Sequence, residues 1–342
     1  MEFEPITPAF ASTPYVIGMS SSNRYAPYLA VYLQSIIDHA KEENRYDIVI
    51  FETDMTADNK ARIQALAQLP NFSIRFYNLK TAFENNLYIS LHYFAKQCYY
   101  RLALGEVFKQ YEKAVFTDID LVMVADIFDL FKIDLQGQPI AACEEILWTP
   151  SRRNQQVSRT QSIDSYLKEI GCTGLYYNTG VVVADVAKFN ETASFRQLLQ
   201  TAQENKFMNL EQDVLNKVFN NRFYTLPPCY NFEVINSVFE GKTEDFRVYA
   251  AQVEQARAYH FLAADKVWFF PNVPKGYLWW QVARKTSYYE EILAAYVNFY
   301  CWHFVPYYLK YKKYHFFAKF VFGKMKQRYL RKAAEYWNWL QY

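Results

Sequence analysis

Residues 113–127 read KAVFTDIDLVMVADI. An apolar run, Ala114-Val115-Phe116, ends in Asp118-Ile119-Asp120, and a second apolar run, Leu121 to Val124, follows at once. Unpaired carboxylates are costly to bury, so two of them between strand-like segments need a partner. Residues two apart in a strand project the same way, roughly 6.5 Å apart. At a strand end, Asp118 and Asp120 can converge on one hard cation. Two carboxylates plus phosphate oxygens make a site for Mg2+ or Mn2+, and such a cation neutralises a diphosphate. The plain alternative is a solvated turn carrying two acids.

Three other stretches hold suitable groups. Asn178, Thr179 and Gly180, in YYNTGVVVADVAKF, precede a strand, where amide and backbone groups can meet a ligand. Glu211, Gln212 and Asp213, in NLEQDVLNKVF, open a helix. Acids there suit the helix dipole and Asn209 is a candidate cap, so capping alone also accounts for them. In YHFLAADKVW, His260 offers an imidazole ligand and Lys266 a phosphate-binding cation. A lone histidine is more often structural than ligating.

Alternating strands and helices must position these groups. TPYVIGMS (13–20) reads as a buried strand, and residues 26–40 as a helix with apolar positions Leu29, Leu33, Ile36 and Ile37. Strands are expected at 46–53 and 72–79 around a helix at 57–69, and a further helix at 97–111 leads into the opening stretch. Short strands follow at 139–145 and 176–186, helices at 193–205 and 211–220, and extended segments at 222–232 and 256–263. The alternation argues for an α/β domain with a mostly parallel sheet.

Composition excludes disorder over most of the chain: 51% of the 342 residues are hydrophobic, with 30 Tyr and 28 Phe. Five cysteines, widely spaced and without a CxxC pair, argue against a cysteine zinc site or a disulfide framework. MEFEPITPAFASTPYV has neither a basic nor an apolar signal-peptide region, so a reducing cytoplasm is the default expectation. Charge is unevenly spread. From 292 to 342 there are nine Lys and Arg against one acid, Glu335, a net +8; the remaining 28 basic and 34 acidic residues give residues 1–291 a net −6. The uncharged stretch up to Leu309 is too short and too polar to span a bilayer. After Pro306, positions Tyr307, Tyr311, Tyr314, Ala318, Val321, Met325 and Tyr329 fall three or four apart, flanked by basic residues. That is the pattern of an interfacial amphipathic helix on an anionic membrane surface. Packing on the catalytic domain or an oligomer contact would give the same pattern, and no motif supports nucleic acid as partner. The expected division is an N-terminal extension (1–12), a catalytic domain (13–290) and a basic aromatic tail (291–342), with the protein cytoplasmic and peripheral to the membrane's inner face.

The blocks YYRLALGEVF, KAVFTDIDLVMVADIFDLF, YYNTGVVVADVAKF, EQDVLNKVF and HFLAADKVW resemble, in order and spacing, those of glycosyltransferase family 8. SSSNRYAPYLAVYLQSI is similar to that family's first strand–helix unit, and the resemblance covers roughly residues 13–270. It implies a GT-A fold: one Rossmann-like nucleotide-sugar-binding domain with a mixed central sheet, here followed by a helical tail. It implies retaining transfer of a hexose from a UDP-sugar, assisted by Mn2+ (Mg2+ as an option), to a glycan acceptor. With the tail, the acceptor reads as lipid-linked or of lipopolysaccharide type. Carried over by position, the metal ligands are Asp118, Asp120 and His260. Lys266 holds the diphosphate and Arg101 reaches the phosphate or donor sugar. Ser20, Ser22 and Ile119 fall in the nucleotide-binding set. Asn178 and Thr179 face ribose and sugar. Gln212 lies near the reacting carbon, Asp213 contacts donor or acceptor hydroxyls, Glu211 completes the catalytic trio, and Glu145 is an acid near the acceptor.

Four departures from the family pattern stand out. Ser22 replaces an aspartate that touches uracil, leaving Ser22, backbone groups or Asn23 to recognise the base. Glu211 stands for Asp in the family's DQD, Ala263-Ala264 for Gly-Pro, and Val267 for Pro. Gln212 is a poor nucleophile, since an amide oxygen is weakly basic. Front-face transfer through an ion-pair-like state is therefore expected rather than double displacement. The segment 146–173 is a candidate lid. Two rivals stand beside this reading. VFTDIDLV also fits a haloacid-dehalogenase-type phosphohydrolase with Asp118 as nucleophile, but three strand–helix units precede it and no second acidic pair follows. A catalytically silent sugar-nucleotide-binding protein is the other.

Overall fold

The computed structural model describes residues 3–84, 97–158, 160–204, 207–262 and 266–340. Ala263 and Ala264, two of the departures above, lie outside the described residues. Among the described residues, ten strands form two sheets. In chain order they are β1 (Tyr15–Ser20), β2 (Tyr46–Glu52), β3 (Phe72–Asn78), β4 (Lys113–Thr117), β5 (Leu121–Met123), β6 (Ile140–Glu144), β7 (Tyr177–Asp185), β8 (Phe223–Thr225), β9 (Phe232–Glu233) and β10 (Ala258–His260). The main sheet runs β3-β2-β1-β4-β7-β6-β8, and the small one β5-β10-β9. β1 to β4 are mutually parallel where they pair, β7 is antiparallel to both β4 and β6, and β8 is parallel to β6. The sheet is thus mixed but mostly parallel, as expected: six strands run one way and β7 runs against them. The antiparallel strand is YNTGVVVAD, an apolar run whose sequence says nothing of direction.

Apolar spacing builds the layers. Helix α1 (Ala26–Asp38) buries Leu29, Leu33 and Ile36 against one face of the sheet, with Pro27 in its first turn. Helix α2 (Ala57–Gln64) is capped by Thr56, whose hydroxyl accepts from Asn59 N. The opposite face carries a second core around Leu104, Phe108, Phe116 and Phe189. Strand order reverses at β1, between β2 and β4, and ligands of open α/β sheets bind beyond the strand ends at such a point. Ser20–Ser22 and Asp118–Asp120 are the residues found there.

Two expected helices take another form. Residues 97–111 form a 3-10 turn, Gln97–Ala103, with one α-turn, Leu104–Val107. Side chains three apart eclipse one another in a 3-10 helix, and this aims both Cys98 and Arg101 into the same cleft. The tail is not one amphipathic helix. After Tyr289–Asn298 and a π-helical turn, Phe299–Phe304, it folds into two helices, Val305–Phe317 and Gly323–Leu340. The rings of Tyr307 and Tyr314 meet Tyr336, and Tyr314 and Phe317 meet Tyr329, so the two helices run antiparallel. Ala318 and Ala333 are buried. The predicted apolar stripe is therefore largely turned inward on its own hairpin. The candidate lid 146–173 has a small core of Ile163, Tyr166, Leu167 and Ile170, with Trp148 packed against it.

Candidate active site

The two aspartates do not share a strand. β4 ends at Thr117 and belongs to the main sheet, while β5 begins at Leu121 and belongs to the small one. Asp118-Ile119-Asp120 is the crossing between them. β10, antiparallel to β5, pairs His260 with Leu121 and brings the imidazole to the same point. His260 Nε2 lies 3.0 Å from Asp120 Oδ1 and 3.6 Å from Asp118 Oδ2. One donor atom from each of the three residues lies within 4.8 Å of the others, two hard oxygens and one imidazole nitrogen, a set suited to a manganese-type cation. The imidazole is wholly buried behind the aspartates, which face a cavity of about 240 Å³.

Cations surround the acids. Lys266 pairs with Asp120, and Arg101, itself buried, donates to Asp118 and to the Thr179 carbonyl. Burial alone would push the Asp120 carboxyl up, but Lys266 and His260 more than offset this and hold it well below the usual range. Ser20, Ser22, Ile119 and Glu211 line the cavity. The cavity end beside β1 is lined with hydroxyls, and the Ser20 Oγ is buried without a partner. Asn23 is not free for a base: its Oδ1 accepts from Thr56 N and from Asn59 Nδ2, tying the first loop to α2. Tyr25 and Trp268, which stand inside two of the quoted blocks without an assigned role, also line the cavity, as do Gln97 and Cys98 just before YYRLALGEVF. Trp268 stacks on Tyr28, with ring centres 4.1 Å apart.

Glu145, Asn178, Thr179 and Gln212 form a largely buried network. Glu145 Oε2 accepts from Asn178 Nδ2 over 2.8 Å and from Gln212 Nε2 over 3.5 Å. Thr179 N donates to Gln212 Oε1 over 3.0 Å. Asn178 and Thr179, expected to face ribose and sugar, are buried behind the cavity lining, where they hydrogen-bond Glu145, Gln212 and Arg101. Asp213 also differs from expectation. It is fully buried and accepts from Tyr176 Oη over 2.5 Å, Tyr166 Oη over 2.6 Å and Asn209 N over 2.7 Å. With its oxygens taken, it acts on Gln212 through Tyr176, whose hydroxyl accepts from Gln212 Nε2 over 3.2 Å. The cap is inverted too: the Asn209 side chain caps nothing, and Asp213 reaches back to the Asn209 N–H. Leu210, between Asn209 and Glu211, has φ +52°, a left-handed conformation costly for a leucine. Glu211 is buried 3.9 Å from Arg101 Nε. Burial pushes its carboxyl up and outweighs Arg101, giving a value of about 7.

This fold is the GT-A architecture of glycosyltransferases. The sequence profile of Glycosyl transferase family 8 matches residues 16–270, and the chain belongs to that family. A putative glycosyltransferase of Haemophilus influenzae is 28% identical over 220 residues, 61% of this chain and 62% of that one. GlyF of Streptococcus pneumoniae is 23% identical, over 77% of this chain and 60% of its own length. The chain thus spans under two thirds of these relatives. Among solved structures, the bifunctional glycosyltransferase WbbM superposes with a TM-score of 0.73 at 25% identity, over 85% of this chain and 53% of that one. The galactosyltransferase LgtC, solved with donor and acceptor sugar analogues, superposes at 0.64 and 20% identity, over 79% of this chain and 96% of that one. Membership removes the phosphohydrolase reading: Asp118 stands after the fourth strand, bonded to Arg101, not at the end of a first strand as a nucleophile.

Proposed function

We propose that the protein transfers a hexose, glucose or galactose, from a UDP-sugar to a glycan acceptor with retention of configuration. The observation that carries this reading is the meeting of Asp118, Asp120 and His260 beside Lys266, with Glu145 and Gln212 adjoining through Asn178 and Thr179. Asp118, Asp120 and His260 would hold Mn2+ or Mg2+, which when bound supplies Lewis-acid charge to the departing diphosphate. Half-buried Lys266 and buried Arg101 bring two cations to the same phosphates. The hydroxyl-lined end with Tyr25 receives the nucleoside, where Ser22 replaces a carboxylate. Transfer is front-face: the bond from the anomeric carbon to the diphosphate breaks, the acceptor hydroxyl enters on the same side, and its proton passes to a β-phosphate oxygen. Gln212, fixed by Thr179, Tyr176 and Glu145, stabilises charge at the sugar ring rather than attacking it. Glu145 meets the acceptor.

The tail supports a lipid-linked acceptor at the cytoplasmic face of a membrane. No helix among the described residues is long and apolar enough to cross one. The hairpin tip instead exposes Phe316, Phe317, Phe320 and Phe322, among lysines 312, 313, 319, 324 and 326. Aromatic rings amid basic residues suit an anionic bilayer surface. The test of the catalytic reading is UDP release with Mn2+ from UDP-Glc, UDP-Gal, UDP-GlcNAc and UDP-GalNAc in turn. Turnover of a hexose donor that disappears in Asp120→Asn is expected. Absence of UDP release with every donor sinks it; if UDP still binds, the silent sugar-nucleotide-binding reading is left.

A further inference from the structure

Behind the aspartates, a file of buried side chains joins the metal side of the cleft to the acceptor side. His260 Nδ1 lies 2.8 Å from Asn231 Oδ1. Asn231 Nδ2 donates to Asn178 Oδ1 over 2.8 Å, and Asn178 Nδ2 donates to Glu145 Oε2 over 2.8 Å. All four residues are at most 7% exposed. An isolated amide or imidazole can be turned over without changing shape. Here one charge removes that freedom. A carboxylate only accepts, so Asn178 must turn its NH2 group to Glu145. Its carbonyl then points the other way, where Gly180 N and Asn231 Nδ2 both donate to it. Asn231 in turn aims its own carbonyl at His260, and that carbonyl requires a hydrogen on Nδ1. The lone pair is left on Nε2, the nitrogen directed at Asp118 and Asp120.

We propose that Asn231 is a positioning residue for the metal ligand His260, and that the Glu145 carboxylate, two amides away, dictates the Nδ1–H form of the imidazole. Metal-binding histidines commonly donate their second nitrogen to such a partner. The partner here is an amide whose polarity is set from the acceptor side of the cleft. Glu145 therefore serves both halves of the site, touching Gln212 directly and the cation through Asn178 and Asn231. No short motif marks Asn231; it stands in PPCYNF, on the turn before β9.

The inference rests on the reading of Asp118, Asp120 and His260 as a cation site, and the experiment separates the two. The full chain, labelled with 15N-histidine and free of metal, is observed by long-range proton–nitrogen correlation. His260 is assigned by the signals lost in His260→Gln. Nδ1 of His260 is expected to carry a proton at every pH tested; a bare Nδ1 in the wild type overturns the proposal without recourse to any variant. Mn2+ alone is then titrated by electron paramagnetic resonance. Asn231→Leu is expected to weaken Mn2+ binding about 10- to 100-fold. In Glu145→Gln, whose amide can donate as well as accept, a population with bare Nδ1 is expected. Wild-type Mn2+ affinity in a folded Asn231→Leu overturns the proposal but spares the cation site, whereas a wild type that binds no Mn2+ sinks the site itself.

Discussion

Gly180 shows how one missing carbon fixes the site. A Cβ there would fall 2.2 Å from Cε1 and 2.5 Å from Nδ1 of His260, and 2.9 Å from Asn178 Oδ1. The glycine of NTG is thus the floor on which the imidazole lies. Gly180→Ala overpacks a filled interior, which costs about 1–3 kcal/mol. Its Mn2+ affinity should fall with its melting temperature; unchanged Mn2+ binding would show that the imidazole does not depend on that floor. Glu211 gives a pH signature. Its carboxyl rises from 4.5 in the unfolded chain to about 7 in the fold, so the folded state binds the proton more tightly. Stability from this group is full below pH 4.5 and is lost as pH climbs through 7, a difference of about 3 kcal/mol. Metal-free Glu211→Gln should therefore melt above the wild type at pH 8 and alongside it at pH 4.5. Calorimetry at the two pH values checks this, and a gap of equal size at both contradicts it.

Strand–helix alternation was legible because each unit carries its own local signal: the spacing of Leu29, Leu33 and Ile36, the Thr56 cap, the apolar run of β7. The DxD and the resemblance likewise brought Asp118, Asp120, His260, Lys266, Gln212 and Glu145 together before any coordinates. What stayed hidden is what depends on distant partners. Asn231 meets His260 across 29 residues and Asn178 across 53. The direction of β7, the 3-10 form of Gln97–Ala103 and the inward turn of Asp213 are settled by packing, not by periodicity. The helix Leu210–Val218 makes the point in energies. Its second acid looked like a ligand contact, yet three donors converge on it from Tyr166, Tyr176 and Asn209. Asp213→Asn sets an NH2 group against one of those donors, and a buried group left unpaired costs about 1–3 kcal/mol. Chemical denaturation should show that loss. Because Tyr176 braces Gln212, kcat should drop further than donor KM rises; a variant that loses stability but keeps kcat would reduce Asp213 to a structural anchor.

At the scale of the whole molecule, charge and shape are segregated. The body carries −6 and the tail +8, and the tail is fastened to the body close to Lys266 in sequence. Phe269 stacks on Phe299 with ring centres 4.4 Å apart, Phe270 meets Phe304, and Trp280 meets Tyr296. These contacts orient the hairpin relative to the strand that presents His260. Since its aromatic stripe is spent on closing the hairpin, the membrane attachment proposed above would rest on the tip, where Phe320 is 66% and Phe322 86% exposed. Each ring carried out of water contributes about 1.5–3 kcal/mol, against about 1 kcal/mol for each basic residue near an anionic leaflet. Phe320→Ser with Phe322→Ser should thus weaken sedimentation with phosphatidylglycerol vesicles by at least about tenfold, given that 1.4 kcal/mol is a factor of ten. The melting temperature should barely move, because both rings are mostly exposed and the contact of Phe320 with Phe316 lies at the surface. Raising the salt should weaken what remains, since the lysines act through a screened field. Vesicle binding that survives both the serine pair and high salt would place the attachment elsewhere on the chain.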